Sequence, residues 1–200
     1  MPLKAVKVRT VLEGTTALMC HNVQLADPMN DWTRKIARLT SKRKMSDEDR
    51  VEKSRLEFLG GLYLHEGHVI VPVMNIKRCL KEAAKANRLG RHIDRALNPA
   101  DPEAIANGVP LKFPHSSSTP MELWEIPGYR DTTMVASPGR VPRTRPQFSK
   151  WGVAADWFLY VNLLSVEDLR SIGEYAGLIE GLGDNRINGQ GRFSFTLEEL

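Results

Sequence analysis

Apolar and polar residues alternate near the start of the chain, which predicts a β-strand with Val6, Val8 and Leu12 on one side and Lys7 and Arg9 on the other. Further along, apolar residues recur every three or four positions, as in amphipathic helices, and near the end of the chain they alternate with polar residues again. By residue number, the predicted order is a strand at 6–12, a short apolar stretch at 16–20, helices at 31–40 and 46–58, a hairpin at 62–71, a helix at 76–87, a strand at 151–163, a helix at 165–180 and a strand at 192–197.

Residues with helix-capping chemistry mark where three of these helices begin. Ser46 with Asp49 has the spacing of a capping box, and Ser165 with Asp168 repeats it. Asn75 is expected to cap the helix at 76–87, because its side-chain oxygen can accept a hydrogen bond from a free backbone amide.

Residues 98–146 have a different texture, with nine prolines and a polar run at 115–119. Interspersed Leu111, Phe113 and Trp124 indicate partial packing, so we expect an irregular excursion with short strands and no core of its own. The predicted division is a core made of residues 1–97 and 151–200, with residues 98–150 as an inserted proline-rich lobe.

An order of strand, helix, hairpin, helix, excursion, strand, helix and strand is typical of the α+β class. The simplest architecture that accommodates it is a ferredoxin-like (RRM-like) antiparallel sheet with helices on one face and the lobe as an insertion.

The composition excludes several classes of protein but does not identify the function. At 200 residues, with 42% hydrophobic and 26% charged residues, the chain fits one globular domain. No apolar run approaches the roughly 18 residues of a membrane helix, and the N-terminal residues lack a signal-peptide core, so we expect a cytoplasmic protein. Cys20 and Cys79 are too few for a disulfide scaffold or a four-cysteine zinc site, and no cofactor or metal is predicted.

Charge is distributed unevenly along the chain, although the net charge is only +4. Residues 34–44 hold six basic residues and no acid, residues 77–95 hold seven basic residues and two acids, and residues 140–150 hold four basic residues and no acid. Residues 151–200 hold three basic and eight acidic residues. Although each run alone fits a solvated face, together they indicate a positive surface for a polyanion.

Four glycines fall within residues 181–191, between the last predicted helix and the last predicted strand. A dinucleotide-binding loop follows a strand and opens a helix, which is the reverse order, and the Gly-Lys-Ser/Thr ending of a P-loop is absent. Glycines in a long turn permit positive φ and close approach of another backbone. Arg186 and Arg192 lie in or beside this turn as candidate cationic contacts.

This glycine-rich loop resembles that of the RAMP superfamily, the ferredoxin-like RNA-binding proteins of CRISPR systems. Residues 69–83 (VIVPVMNIKRCLKEA) are similar to the strand, proline turn and basic helix of the Cas seven backbone subunits of class 1 effector complexes. Met74, Cys79 and Glu82 depart from that family's usual pattern. The chain is also shorter than most such subunits, which suggests a compact relative from a phage or mobile element.

The resemblance implies a palm formed by the core, a thumb formed by the inserted lobe, and subunits that oligomerise into a helical or filamentous assembly along RNA or single-stranded DNA. Trp124, Tyr129 and Phe148 are candidate base contacts, with burial in the core as the more ordinary interpretation. Arg143 and Arg145 share one side of an extended segment. The predicted nucleic-acid-binding residues are Lys42, Arg43, Lys44, Lys77, Arg78, Lys81, Arg143, Arg145, Arg186 and Arg192, with the first three as a flexible clamp.

Other interpretations remain open. We do not expect an enzyme, and the main rival is a metal-independent RNA endonuclease with His21 as general acid or base. Asp27 and Asp31 alone are weak support for a metal site, and the segment His65 to His68 lacks the spacing of a helical zinc motif. A third interpretation is a module whose basic patches contact an acidic protein. The sequence leaves RNA and single-stranded DNA equally open.

Overall fold

The computed structural model describes residues 3–137 and 139–200, so Met1, Pro2 and Pro138 of the predicted core and lobe lie outside the described residues. The strands are β1 (Ala5–Gly14), β2 (Leu18–Met19), β3 (Leu64–His65), β4 (His68–Val71), β5 (Leu97–Pro99), β6 (Val109–Pro110), β7 (Arg130–Ser137), β8 (Gly139–Phe148), β9 (Gly152–Tyr160) and β10 (Phe193–Glu199). The helices are α1 (Asp31–Thr40), α2 (Asp47–Gly61), α3 (Val73–Ala84), α4 (Gly90–Ala96), α5 (Pro102–Asn107), α6 (Pro120–Glu125) and α7 (Val166–Tyr175).

Four strands in the order β10-β1-β9-β5 form an antiparallel sheet at the centre of the molecule. Val8, Leu12 and Trp157 point to its buried face, whereas Lys7 and Arg9 are exposed on the other face. The alternation that the sequence shows in the first strand is therefore confirmed, and so is a mixed helix and strand organisation with antiparallel sheets.

Helices α3, α4 and α7 lie beside one another against the core. Elements α1 to α4 separate β1 from β5 along the chain, and α7 separates β9 from β10. Helix α3 begins at Val73, directly after Pro72, and no side chain caps it. The cap expected at Asn75 is wrong, because the amide of Asn75 already donates to the carbonyl of Pro72 within the first turn.

The last helix does not keep the period that the sequence predicts. After α7 the chain forms one π-helical turn, Ala176–Glu180, in which the amide of Gly181 donates to the carbonyl of Ala176 at 2.8 Å. Ile179, whose spacing from Leu169, Ile172 and Ala176 predicts a place on the buried face of a regular α-helix, is exposed, because the π-helical turn adds a residue per turn. A Cβ on Gly177 would lie 2.1 Å from the carbonyl oxygen of Phe193, so this turn depends on glycine to approach β10.

The proline-rich excursion is more ordered than the sequence predicts. It contains α5, β6, α6 and the long β7–β8 hairpin, and it begins inside β5, where Pro99 pairs with Trp157 of the central sheet. Trp124, Tyr129 and Phe148 are buried in the one continuous core, so the core interpretation of these aromatic residues is confirmed and their role as base contacts is wrong.

None of the helices in the described ranges is long and apolar enough to cross a membrane.

Candidate nucleic-acid interface

A cleft of about 610 Å³ opens between the first turns of α3 and the glycine-rich loop. These two segments, which carry the family resemblance, are about 100 residues apart in the chain, and both line the cleft. Residues near β2 and the β3–β4 hairpin complete it. The lining includes Cys20, His21, Val23, Ala26, Tyr63, Pro72, Asn75, Arg78, Cys79, Gly183, Asp184 and Arg186.

Backbone contacts at two glycines fix the shape of the glycine-rich loop. The amide of Asp184 donates to the carbonyl of Met19 at 2.8 Å, and a Cβ on the adjacent Gly183 would lie 2.4 Å from that oxygen. A Cβ on Gly191 would lie 1.8 Å from the carbonyl oxygen of Leu182. Gly183 and Gly191 have φ of +83° and +72°, a region that other residues avoid, so the positive φ and close approach expected from the sequence are both observed.

Cys79 ties α3 to this loop. Its thiol lies 3.1 Å from the carbonyl oxygen of Gly181 and donates a hydrogen bond to it. Burial raises the pKa of the Cys79 thiol to about 12, so the group stays protonated and acts as a donor. Cys20 and Cys79 are both buried and free, as expected, and both line the cleft.

The two arginines of the loop have different surroundings. Arg186 lines the cleft. Arg192 turns back into the loop, where its Nη2 donates to the carbonyl of Arg186 at 3.1 Å and its buried Nη1 has no hydrogen-bond partner among the described residues. Arg192 therefore braces the loop that presents Arg186, and it is absent from the cleft lining.

The cations of α3 are also divided by burial. Arg78 is exposed and lines the cleft, whereas Lys77 is only 8% exposed and its Nζ donates to the carbonyl of Asp94 in α4 at 3.1 Å. Burial lowers the pKa of Lys77, which shows that its charged form is poorly solvated. Lys77, predicted from the sequence as a nucleic-acid contact, is turned into the protein, because α4 packs beside α3 and widens its buried face. Lys81 pairs with the carboxylate of Asp94 at 2.6 Å.

His21 follows β2 and lines the cleft. Its backbone carbonyl accepts a hydrogen bond from the hydroxyl of Tyr63 at 3.3 Å. Burial of the ring lowers the pKa of His21, and the nearby Arg143 and Arg145 lower it further, against an opposing effect of Asp184. The imidazole is therefore mostly neutral at pH 7.

Arg143 and Arg145 alternate with the buried Thr144 on β8, which places both on the side of the strand opposite to Thr144. The Nε of Arg145 lies 2.7 Å from Oδ2 of Asp184, a close ion pair whose angle is unsuitable for a hydrogen bond, and its Nη1 donates to Thr133. This pair joins the hairpin to the glycine-rich loop. Arg143 lines a second, smaller cavity that also contacts His21.

The remaining predicted cations lie elsewhere. Lys42, Arg43 and Lys44 are exposed in the turn between α1 and α2, and none of them lines either cavity. The Nζ of Lys42 lies 2.6 Å from Oδ1 of Asp49, which attaches that lysine to the start of α2.

Sequence reasoning missed Tyr63, Asn75 as a cleft residue, and Asp184. Asp184 lies within the glycine-rich loop, two residues before the predicted contact Arg186. Among residues 3–137 and 139–200, no three His, Cys, Asp or Glu side chains are grouped as a metal site, and Oδ1 of Asp27 accepts the amide of Met29 at 2.8 Å.

Comparisons with known proteins provide little evidence about what this cleft binds. No protein-family model matches the chain, and no curated protein sequence matches it. Among solved structures, the crystal structure of Cmr6 from Pyrococcus furiosus is a weak neighbour, with 11% identity and a TM-score of 0.28 over 100% of both chains. A likeness at that level does not establish a shared fold, so function has to be argued from the residues of the cleft.

Proposed function

We propose that this protein binds single-stranded nucleic acid, with the sugar-phosphate backbone lying in the cleft between α3 and the glycine-rich loop. The observation that carries the proposal is the convergence of Arg78 and Arg186 on one cleft, from segments about 100 residues apart. Within the described ranges neither arginine forms an ion pair. Their charges are therefore available to phosphates.

The charge balance of the cleft supports an anionic ligand. Asp184 is its one acidic lining residue in the described part of the chain, and Arg145 already pairs with it. Cations that neutralise phosphates release counterions from the strand, which favours binding at moderate salt. Lys77 and Arg192 are left out of the proposed contact set, because the first is buried and the second braces the loop.

The architecture supports the same proposal at a coarser level. We infer that the central sheet is ferredoxin-like, since β1, β5, β9 and β10, counted as strands one to four, lie in the order 4-1-3-2 with all neighbours antiparallel. The RAMP relation and an assembly along the strand are part of this proposal.

The test is fluorescence anisotropy with labelled 20-nucleotide RNA and DNA of the same mixed sequence, titrated between 50 and 200 mM KCl. Each phosphate contact adds about 0.7 to the slope of log affinity against log salt for single strands. Arg78→Ala and Arg186→Ala should each reduce that slope by about this amount. Arg170→Ala, which removes the same charge from α7 outside the cleft, should leave the slope unchanged.

If the two cleft variants and wild type have equal salt slopes, the strand does not bind in the cleft. Equal losses in the cleft variants and in Arg170→Ala would mean that only the overall charge matters. Comparison of the RNA and DNA strands reports whether the 2′-hydroxyl contributes to affinity.

A second candidate function is metal-independent cleavage of RNA. The observation that favours it is the position of His21, which lines the cleft and also borders a smaller cavity beside Arg143. Burial lowers the pKa of His21, which favours the neutral ring that a general base needs. In such a reaction the 2′-hydroxyl gives its proton to a base and attacks the adjacent phosphorus. The 5′-oxygen leaves with a proton, and a 2′,3′-cyclic phosphate remains. Cleavage in EDTA that is lost in His21→Ala would support this candidate, and intact RNA with wild type would end it.

A further inference from the structure

The second cavity, of about 230 Å³, lies between α1, α2 and β8. His21 is the one residue of the described chain that lines both this cavity and the cleft. The short turn Val23–Ala26 lies against both: Val23 and Ala26 line the cleft, and Leu25 lines the cavity. His21 therefore borders both spaces.

The turn that separates the two spaces is held firmly in place. The side-chain amide of Asn22 donates to the carbonyl of Leu62 at 2.8 Å and its oxygen accepts the amide of Gln24 at 3.0 Å. The side chain of Gln24 donates to the carbonyl of Gly60 at 2.9 Å. These bonds attach the turn to the end of α2, so the segment between the two cavities is held in a fixed position.

The volume of the cavity limits what can occupy it. Sites for drug-sized molecules measure about 300–1,000 Å³, and one water takes about 30 Å³ of liquid. A cavity of about 230 Å³ is too small for a length of strand and large enough for a single planar heterocycle.

The lining has two chemically different sides. Leu25, Ile36 and Ala37 provide an aliphatic side, while His21 and Arg143 provide a polar one. A wholly apolar ligand would bury the polar side without partners, and a phosphate would lie against aliphatic carbon. A nucleobase has apolar faces and a polar edge, which match both sides.

Some hydrogen-bonding groups of the cavity already have partners within the protein, and others are free to bind a ligand. The carboxylate of Glu57 is occupied by Lys53 and by the amide of Thr144. The hydroxyl of Thr33 donates to the carbonyl of Leu25, and that of Thr40 donates within α1. In contrast, neither the guanidinium of Arg143 nor the ring of His21 has a hydrogen-bond partner in the described ranges.

We propose that this cavity is a subsite for one nucleobase turned out of a strand that lies in the cleft, with Arg143 and His21 at its edge and α1 against its face. The subsite rests on the proposed function, because the cleft must first hold the strand. Turning one base out of a single strand has a modest cost, since no base pair is broken.

The test fills the cavity from α1. Ala37→Leu places a larger side chain in the cavity at an exposed position of α1 and keeps good helix propensity. Ala106→Leu, at an exposed position of α5 that lines neither cavity, is the matched control. Each protein is titrated with a 20-nucleotide thymidine strand and with an abasic strand of the same length and charge.

We expect Ala37→Leu to bind the thymidine strand about five- to tenfold more weakly than wild type and to bind the abasic strand equally well. The control should bind both strands as wild type does. If Ala37→Leu lowers the melting temperature, Thr40→Leu fills the same cavity from the exposed last residue of α1 and replaces it.

The outcomes separate the two proposals. If wild type binds neither strand, the proposed function fails. If wild type binds both strands and the cavity-filling variant binds the thymidine strand as tightly as wild type, the base subsite is overturned while strand binding remains. A loss of equal size on both strands would also overturn the subsite, because the cavity would then affect only backbone contacts.

Discussion

At the scale of single residues, burial separates cations that the sequence presents as equivalent. Lys77 and Arg78 are neighbours on α3, yet Lys77 donates to a backbone carbonyl beneath α4 while Arg78 lines the cleft. Arg186 and Arg192 differ in the same way across the glycine-rich loop. A charged side chain therefore contributes to a binding surface only where neighbouring elements leave it in solvent.

The lowered pKa of His21 predicts a dependence of stability on pH. Burial is the main cause of the shift, and the unfolded chain restores an ordinary pKa near 6.5, so the unfolded state binds more protons just below that value. The free energy of unfolding should be fully retained above about pH 6.5 and should fall as the pH drops toward the lowered pKa. His21→Asn should lack this part of the dependence.

Urea unfolding of both proteins at pH 7.5, 6.5 and 5.5 measures this effect. The difference in unfolding free energy between wild type and His21→Asn should shift in favour of the variant as the pH falls. A constant difference across this range would contradict the assigned environment of His21.

At the scale of elements, the position of Arg143 and Arg145 depends on how the free edge of β8 is covered. Strand β2 pairs with the end of β8 through Leu18 and Met19. Nearer the start of β8, a buried ion pair on α2 covers the edge of the strand. Lys53 donates to the carbonyl of Pro142 at 3.0 Å, and Glu57 accepts the amide of Thr144 at 3.0 Å. An uncovered edge would expose unpaired backbone groups.

Removal of one partner from that buried pair should be costly. Lys53 and Glu57 have 11% and 8% of their side chains exposed and lie 2.6 Å apart. Glu57→Gln leaves a buried ammonium without its carboxylate, which should lower the free energy of unfolding by about 3–5 kcal/mol. Urea denaturation measures the loss.

Arg55 and Glu52 provide the control, since they form an ion pair 2.7 Å long on the same helix with about a third of each side chain exposed. Glu52→Gln should cost less than about 1 kcal/mol. Similar losses in both variants would mean that the buried pair on α2, which covers the edge of β8, has no special role.

At the scale of the whole molecule, the proposed assembly along the strand can be tested through the uneven distribution of charge. The cations of the cleft come from α3 and the glycine-rich loop, and β8 adds Arg143 in the second cavity, whereas residues 151–200 hold eight acids and three basic residues. Copies aligned on one strand can place opposite charges next to each other, which favours successive binding.

We therefore expect a mass ladder that depends on strand length. Size-exclusion chromatography with light scattering, using 10-, 20- and 40-nucleotide strands, should show more copies of the protein on the longer strands. One copy of the protein on every strand would contradict self-association while leaving strand binding intact.

Local sequence signals predicted a large part of the fold. The alternation in β1, the capping box at Ser46 and the amphipathic period of α3 depend on neighbours within a few residues, and the structure has each of these elements. Short helices and the β7–β8 hairpin within the proline-rich excursion were missed, because proline-rich segments carry weak periodic signals and their order comes from contacts with the rest of the core.

The sequence by itself determined the class of fold, the uneven distribution of charge and the two segments that meet at the cleft, because these follow from residue types and short spacings. Only the tertiary structure decided which cations face the cleft and which stabilise the protein internally. It also decided that His21 lies between two cavities. Those outcomes depend on packing between distant segments: α4 against α3, Gly183 against Met19, and α2 along the edge of β8. No local pattern specifies such contacts, because each arises from groups separated along the chain.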